Sequence, residues 1–466
     1  MVFNSWTYAF FFAAALLVYH ICPRKLKWMS LLAASCIFYM AWNPVLMLLL
    51  IFVALVNFLC AMAENHKKPA LVIALALSFG VLAAFKYLNF LLSGVLGLFG
   101  ETAEFDIILP MGISFYTFQS VGYTIDVYRG VMEPQKNFFK FLLFITFFPQ
   151  LVAGPIERAE NITPQLFSGE KLSLDNFMDG GAYMILGYFK KVAVADRIAI
   201  AVNAVYKAPA NFGGLALITA AALFSFQIYC DFSGYSDIAV GCAKCFGIDL
   251  SQNFRQPFLS KSLKEFWRRW HISLSSWFKD YVYFPLGGGR VSKPRRAFNT
   301  LLTFLLSGLW HGASVMFLAW GFLHGACQAV LEFSPKILAG KKCWLWDFLR
   351  VCATFSFVTF AFIFFRAGTF DVAFTFISRL FVDVNEWMKI DYIFKTLEGF
   401  GMGAVEFLTG VGCVTALIVT DLIGGETSFF DKTRGAARFL ACAALAVITI
   451  STGVFYDAQG FIYFQF

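Results

Sequence analysis

Residues 307–313 read SGLWHGA and put an imidazole, His311, into the uncharged stretch from Ala297 to Trp320. Ionisable groups at membrane depth are costly and tend to serve a function. His311 lies 15 residues after Arg296. That is about 22 Å along a helix rising 1.5 Å per residue, well inside a hydrocarbon core about 30 Å thick. The chemistry open to it is general-base catalysis, because a hydroxyl attacking a thioester must shed its proton and imidazole titrates in the useful range. The chain has no G-x-S-x-G elbow and no cysteine directly beside a histidine. Direct transfer to the acceptor is therefore simpler than a covalent acyl-enzyme. The other reading of a buried histidine is packing, with one hydrogen bond to a carbonyl.

Glycines accompany it. Gly308 and Gly312 form a G-x-x-x-G step, and Gly321 and Gly325 repeat it in GFLHG with His324. That spacing lets another helix approach closely, so His311 should meet a neighbour's backbone. His324 reads as a packing histidine.

EFWRRWHISLSSWFKDYVYF (Glu265–Phe284) carries the second candidate, His271. Wound as one helix, it sets Phe266, Trp267, Trp270, Leu274 and Trp277 on one face. Arg268, Arg269, Ser275, Ser276 and Lys279 fall opposite, with His271 at the border. An aromatic stripe against a cationic face describes a helix lying in the membrane interface. Its cations could meet lipid phosphates or the phosphates of an acyl-coenzyme A, and periodicity alone leans to lipid.

Two more polar clusters interrupt apolar runs. In QIYCDFSGYSDIA (Gln227–Ala239), Asp231 and Asp237 flank Ser233–Gly234. Either the helix breaks there and side chains cap the freed backbone, or these groups form the polar wall of a substrate channel. FFPQLVAGPIER (Phe147–Arg158) reads as the end of a span, with a local ion pair between Glu157 and Arg158.

These residues need helices to hold them. The 466-residue chain is 59% hydrophobic and 14% charged, where a soluble domain carries about a quarter charged residues. The apolar content falls in runs of spanning length, each of roughly 20 residues. This predicts an all-α polytopic membrane protein of about ten to twelve spans. Expected spans include Ser5–Ile21, Pro44–Ala63, Ala70–Phe99, Phe138–Val152, Met178–Ala195, Leu215–Tyr229, Ala297–Val330 and Trp344–Phe365. Ile107–Ser120, with Gly112, Ser114, Thr117 and Gln119, should be buried in protein. Lys86 should snorkel or face the interior.

PRKLK (Pro23–Lys27) follows the first apolar run, which reads as a retained span and not a cleaved signal. That group, HKK (His66–Lys68), RVSKPRR (Arg290–Arg296) and DKTRGAAR (Asp431–Arg438) can all be cytoplasmic if both termini lie outside. The net charge of +8 then reports topology and not nucleic-acid binding. Cys242 and Cys245 form a C-x-x-C with no second pair or nearby histidine, so no zinc site is expected.

Longer motifs carry a family likeness. SQNFRQPFLSKSLKEFWRRWHISLSSWFKDYVYFPLGGGR (Ser251–Arg290), followed by SGLWHGASVMFLAWGFLHG (Ser307–Gly325), resembles the membrane-bound O-acyltransferase family. DFSGYSDIAVG (Asp231–Gly241), PMGISFYTFQSVGYTIDVYRG (Pro110–Gly130), FFPQLVAGPIER and FIYFQF (Phe461–Phe466) are similar to its bacterial alginate O-acetyltransferase branch. The likeness covers nearly the whole chain.

The resemblance implies a ring of about ten to twelve tilted helices with interfacial or re-entrant helices around a central channel. It implies one membrane-embedded domain over residues 1–466, with N-terminal helices in 1–100, a catalytic core in 107–333 and C-terminal helices in 344–466. His311 would be the central catalytic residue and His271 the second functional one. Gln227, Asp231, Asp237, Trp267, Arg268, Arg269, Trp270 and Trp310 are the expected substrate contacts. The donor would be acetyl-CoA or an acyl carrier thioester, with no permanently bound cofactor and no metal. The acceptor would be an exported polysaccharide such as alginate, with periplasmic partner proteins and a place in the bacterial inner membrane. SQNFRQPF and PLGGGR depart from the usual PENFN-x-P and PLGGNR, which leaves donor and acceptor details open. D-alanyl transfer to teichoic acid is the runner-up within the family. A transporter or acyl conduit is the reading from another class, but it would expect inverted repeats. The GLWHG and GFLHG echo is adjacent and runs in the same direction.

Overall fold

The structure, a computed structural model, describes residues 3–63, 66–97, 107–152, 154–171, 173–333, 343–425, 427, 429–433, 435–455 and 460–462. Among them helices are the only regular elements and no strand occurs. Seven are long and apolar enough to cross a membrane: Pro44–Ala61, Lys67–Ser93, Gly214–Cys245, Val315–Phe333, Trp344–Ala367, Ala404–Gly424 and Gly435–Thr452. Trp6–Ile21 is a shorter apolar helix. The chain is an all-α, multi-pass membrane protein.

Three expected spans are built differently; Ala297–Val330 divides after His311 into two helices. Phe138–Thr146 stops after nine residues, because Phe147 leaves helical geometry and Pro149 opens a separate turn, Phe148–Leu151. Met178–Ala195 begins in the helix Leu174–Tyr188, then widens into a seven-residue π-helical segment, Phe189–Ala195. Such segments recur at functional sites.

The residues gather into two compact units, Met1–Met184 with Tyr235–Gln252, and Ile185–Gly234 with Asn253–Phe466. In the first, Asn43 caps the Pro44–Ala61 helix, its Oδ1 accepting from the Val45 and Leu46 amides beside Pro44 at the first turn. Ile113–Tyr128 is buried almost throughout. Its Gln119 donates to Phe144 O and its Thr124 to Asn57 Oδ1, so internal partners meet the polar groups that lipid would leave bare. Lys86 Nζ lies 3.5 Å from Ser114 Oγ, the interior-facing choice of the two. Cys242 lies 2.9 Å from Tyr8 Oη and is a buried free thiol, as is Cys245. Glu157 accepts from Ser251 N and Oγ at 2.6 and 2.7 Å, which replaces the expected local pair with Arg158. Burial raises its carboxyl above the usual range, against the pull of those two hydrogen bonds.

In the second unit, Lys293–His311 and Val315–Phe333 form an antiparallel hairpin. The two glycine steps turn out to be each other's partner. A Cβ on Gly308 would run into the Phe317 carbonyl, and one on Gly321 into the Phe304 carbonyl. One on Gly325 would lie 3.0 Å from Leu301 Cα. Gly308→Ala is therefore expected to destabilise the protein by about 1–3 kcal/mol, read as a lower thermal midpoint in detergent. Gly181→Ala, whose added methyl meets nothing within 4 Å, should not lower it; equal effects would refute the close-contact account.

Candidate active site

His311 is the last residue of its helix, and Gly312 continues in extended backbone. The histidine is 4% exposed. Trp310, Trp320 and Phe365 surround the ring, with centroids 5.0, 5.0 and 5.2 Å away and all near edge-on. At a helix C-terminus the partial negative charge of the last carbonyls favours the positive charge an imidazole gains with a proton. The site thus sets an imidazole at a helix end inside a box of three aromatic rings.

His271 sits where the expected single amphipathic helix breaks. Leu263–Arg269 and Ile272–Phe278 are separate helices, and His271 between them has φ 44° and ψ 56°. A non-glycine residue in this region is strained, by about 1–3 kcal/mol. Asn253 holds the kink. Its carbonyl accepts from Ile272 N, and its Oδ1 accepts from Ser273 N and Oγ at 3.1 and 2.7 Å. The aromatic stripe faces protein: Trp270 is 2% exposed and packs on Phe254, Phe266 and Phe362. His271 is buried, edge-on to Phe232 at 4.6 Å and 5.8 Å from Trp310. Burial pushes its imidazole down to about 3, so it is neutral at physiological pH. Trp310 is the ring that touches both histidines.

Asp231 lies on Gly214–Cys245, which runs unbroken through Ser233–Gly234; the broken-helix reading is thus set aside. Gly234 instead admits the π-helical segment, since a Cβ there would lie 2.8 Å from Gly187 O and 3.1 Å from Lys191 N. This contact brings Lys191 Nζ to 2.6 Å from Asp231 Oδ1 and 2.8 Å from Asp196 Oδ1, all three buried. Asp231 Oδ2 also accepts from Ile462 N at 2.6 Å. These groups, with Asn203, Gln227, Arg366 and Gly460, line a polar cavity of about 250 Å³.

Residues 135–367 match the model of MBOAT, the membrane-bound O-acyltransferase family. This chain belongs to that family. It is 35% identical over 423 residues to a probable alginate O-acetylase of Pseudomonas aeruginosa, covering 87% of this chain and 79% of that protein. A probable alginate O-acetylase of Pseudomonas syringae is 36% identical over 413 residues, 86% of this chain and 78% of that protein. The peptidoglycan O-acetyltransferase of Helicobacter pylori is 33% identical over 387 residues, 74% and 71%. The teichoic acid D-alanyltransferase of Bacillus subtilis is 31% identical over 276 residues, 56% and 69%. The chain is an O-acyltransferase of the alginate O-acetylase branch.

In this O-acyltransferase the predicted residues fall into three groups. His311, Trp310 and His271 come together through ring contacts, and Trp270 packs behind His271. Asp231 and Gln227 line the cavity, while Asp237 belongs to the other unit. Trp267 turns to the third histidine, its Nε1 donating to His324 Nδ1 at 3.3 Å, which supports the packing role for His324. Arg268 is exposed, and Arg269 pairs with Glu265 at 2.7 Å. Among the described residues no three His, Cys, Asp or Glu side chains gather as a metal site. Lys191, Asp196, Arg366 and Asn253 are the residues that reading the motifs missed. The signal for Lys191 was present, a basic pair inside the apolar run YFKKVAVA. Of the motif FIYFQF, residues 463–466 lie outside the described residues, while Phe461 is buried 5.6 Å from Phe232.

Proposed function

We propose that this protein transfers acetyl from a cytoplasmic thioester, acetyl-CoA, to hydroxyls of an exported polysaccharide of the alginate type. The observation that carries the reading is His311, a buried imidazole at a helix end in a member of an O-acyltransferase family. In the step proposed, His311 takes the proton of the acceptor hydroxyl as its oxygen attacks the thioester carbonyl. The C–O bond forms, the C–S bond breaks, and the proton passes to the leaving thiolate, which yields an ester and a free thiol. His271, neutral and one tryptophan away, positions the reacting groups through Trp310. Arg268 and Arg269 serve the donor, and Gln227 and Asp231 the acceptor route.

The chain works as one membrane-embedded domain in a bacterial inner membrane. Both termini are periplasmic by the positive-inside pattern, and transfer is direct or runs through a periplasmic partner protein. The test is purified protein with acetyl-CoA and a soluble oligosaccharide. Free thiol and acetyl ester should appear in equal amounts and only when both substrates are present. Ester formation only from a D-alanyl carrier thioester would move the function to D-alanyl transfer. Passage of substrate across vesicles without ester would make the protein a conduit.

A further inference from the structure

The cavity lined by Lys191, Asp231 and Arg366 has an unusual charge balance. Lys191 is held between Asp196 and Asp231, but Arg366 has no carboxylate within ion-pairing distance among the described residues. Its Nη2 donates to Asn203 Oδ1 at 2.7 Å, its plane lies over Tyr206 and Phe224 at 6.0 Å each, and its buried Nε has no partner. A buried guanidinium without an anion is costly, and its fork matches a carboxylate bidentately. Gln227, 8% exposed, carries a buried Oε1 that also lacks a partner and needs a donor.

The other properties narrow the occupant. Two basic and two acidic side chains line the space, so a single negative charge matches Arg366 while a phosphate dianion would face Asp196 and Asp231. At about 250 Å³ the cavity is smaller than the roughly 300–1,000 Å³ of pockets for drug-sized ligands. That is room for one ring and not for a nucleotide. The mostly polar lining excludes an acyl chain. Arg366 and Asp231 are the chain neighbours of Phe365 and Phe232, whose rings lie 5.2 Å from His311 and 4.6 Å from His271.

We propose that this cavity is an acceptor subsite for one carboxylate-bearing sugar unit, its carboxylate on Arg366 and a hydroxyl on Gln227. The inference rests on the acyl-transfer reading above for its place in the reaction. It can be tested separately, because binding needs no chemistry.

The probes are a short uronic acid oligosaccharide and the same oligosaccharide with its carboxyls reduced to alcohols. Binding and ester formation are measured for both on the purified full-length protein. Wild type should bind the acidic form at least about tenfold more tightly, as expected for a hydrogen-bonded charge pair. Arg366→Gln should bring the two forms within about twofold of each other. Arg366→Lys, which keeps the charge but loses the fork, should lie between. Equal wild-type affinity for both forms, or a preference that survives in Arg366→Gln, would overturn the subsite. Arg366→Lys, which retains the buried charge, supplies the comparison if the glutamine variant does not fold. Ester formation without any acid preference would leave acyl transfer standing and remove the subsite. Arg366-dependent binding with no ester from any donor would keep the subsite and remove the transfer reading.

Discussion

Replacing His311 with alanine is expected to lower acyl transfer by about a hundredfold to ten-thousandfold, the range for losing a positioned general base. The protein should still insert and fold. The hairpin that carries His311 is held by backbone contacts at Gly308 and Gly321, which the substitution leaves alone. Alanine does open a hole among Trp310, Trp320 and Phe365, and a cavity alone can cost stability. His311→Gln separates the two effects, since it keeps most of the volume and a hydrogen-bonding amide but cannot take up a proton at neutral pH. A catalytic His311 predicts that glutamine restores the thermal midpoint but not ester formation. A packing His311 predicts that both return together. Ester produced per folded molecule, with the midpoint measured in the same detergent, distinguishes them. Wild-type ester formation by either variant removes His311 as the base.

Lys191→Met is expected to have the largest effect on stability, about 3–5 kcal/mol, the cost of breaking a buried ion pair from one side. Methionine fills nearly the same space, so the change is one of charge. Asp196 and Asp231, both buried, would be left facing each other across the cavity with no cation between them. Adding Asp231→Asn removes one stranded charge and should recover part of the loss. The double variant should then be more stable than the sum of the two single changes predicts, as expected for side chains in one network. Folded fraction after stepwise heating, read by size-exclusion chromatography, gives the comparison. A Lys191→Met protein as stable as wild type would mean that the triad does not hold opposed charges.

Motif by motif, legibility followed how local the controlling interaction was. The burial of Ser114, Thr117 and Gln119 could be read because it depends on residue types within a few turns. The kink at His271 could not. Helical periodicity through Glu265–Phe284 is intact on paper, and the break is imposed by Asn253, 18 residues upstream, through three hydrogen bonds to Ile272 and Ser273. The glycine steps were legible as close contacts but not as to partner. Gly308 and Gly321 meet because the turn after His311 returns the chain on itself. Lys191 carried the same warning as Asp231, an ionisable group within an apolar run. Its neighbours Lys190 and Asp196 made it resemble the polar end of a span.

By itself the sequence determined that this protein is an all-helical membrane protein of the O-acyltransferase family, and its motifs marked His311 as the candidate base. Hydropathy sums over contiguous residues, and the family motifs are contiguous strings, so both survive without coordinates. Only the tertiary structure decided what surrounds the candidate residues: Trp310 between two histidines, Lys191 between two aspartates, and Arg366, without a carboxylate partner, lining the same cavity as Lys191. Those arrangements bring together side chains from distant helices, Lys191 and Arg366, 175 residues apart (366 − 191), for example. Whether such residues meet is set by how closely their helices can cross, through contacts such as Gly234 against Gly187. No pattern along a single helix records that distance.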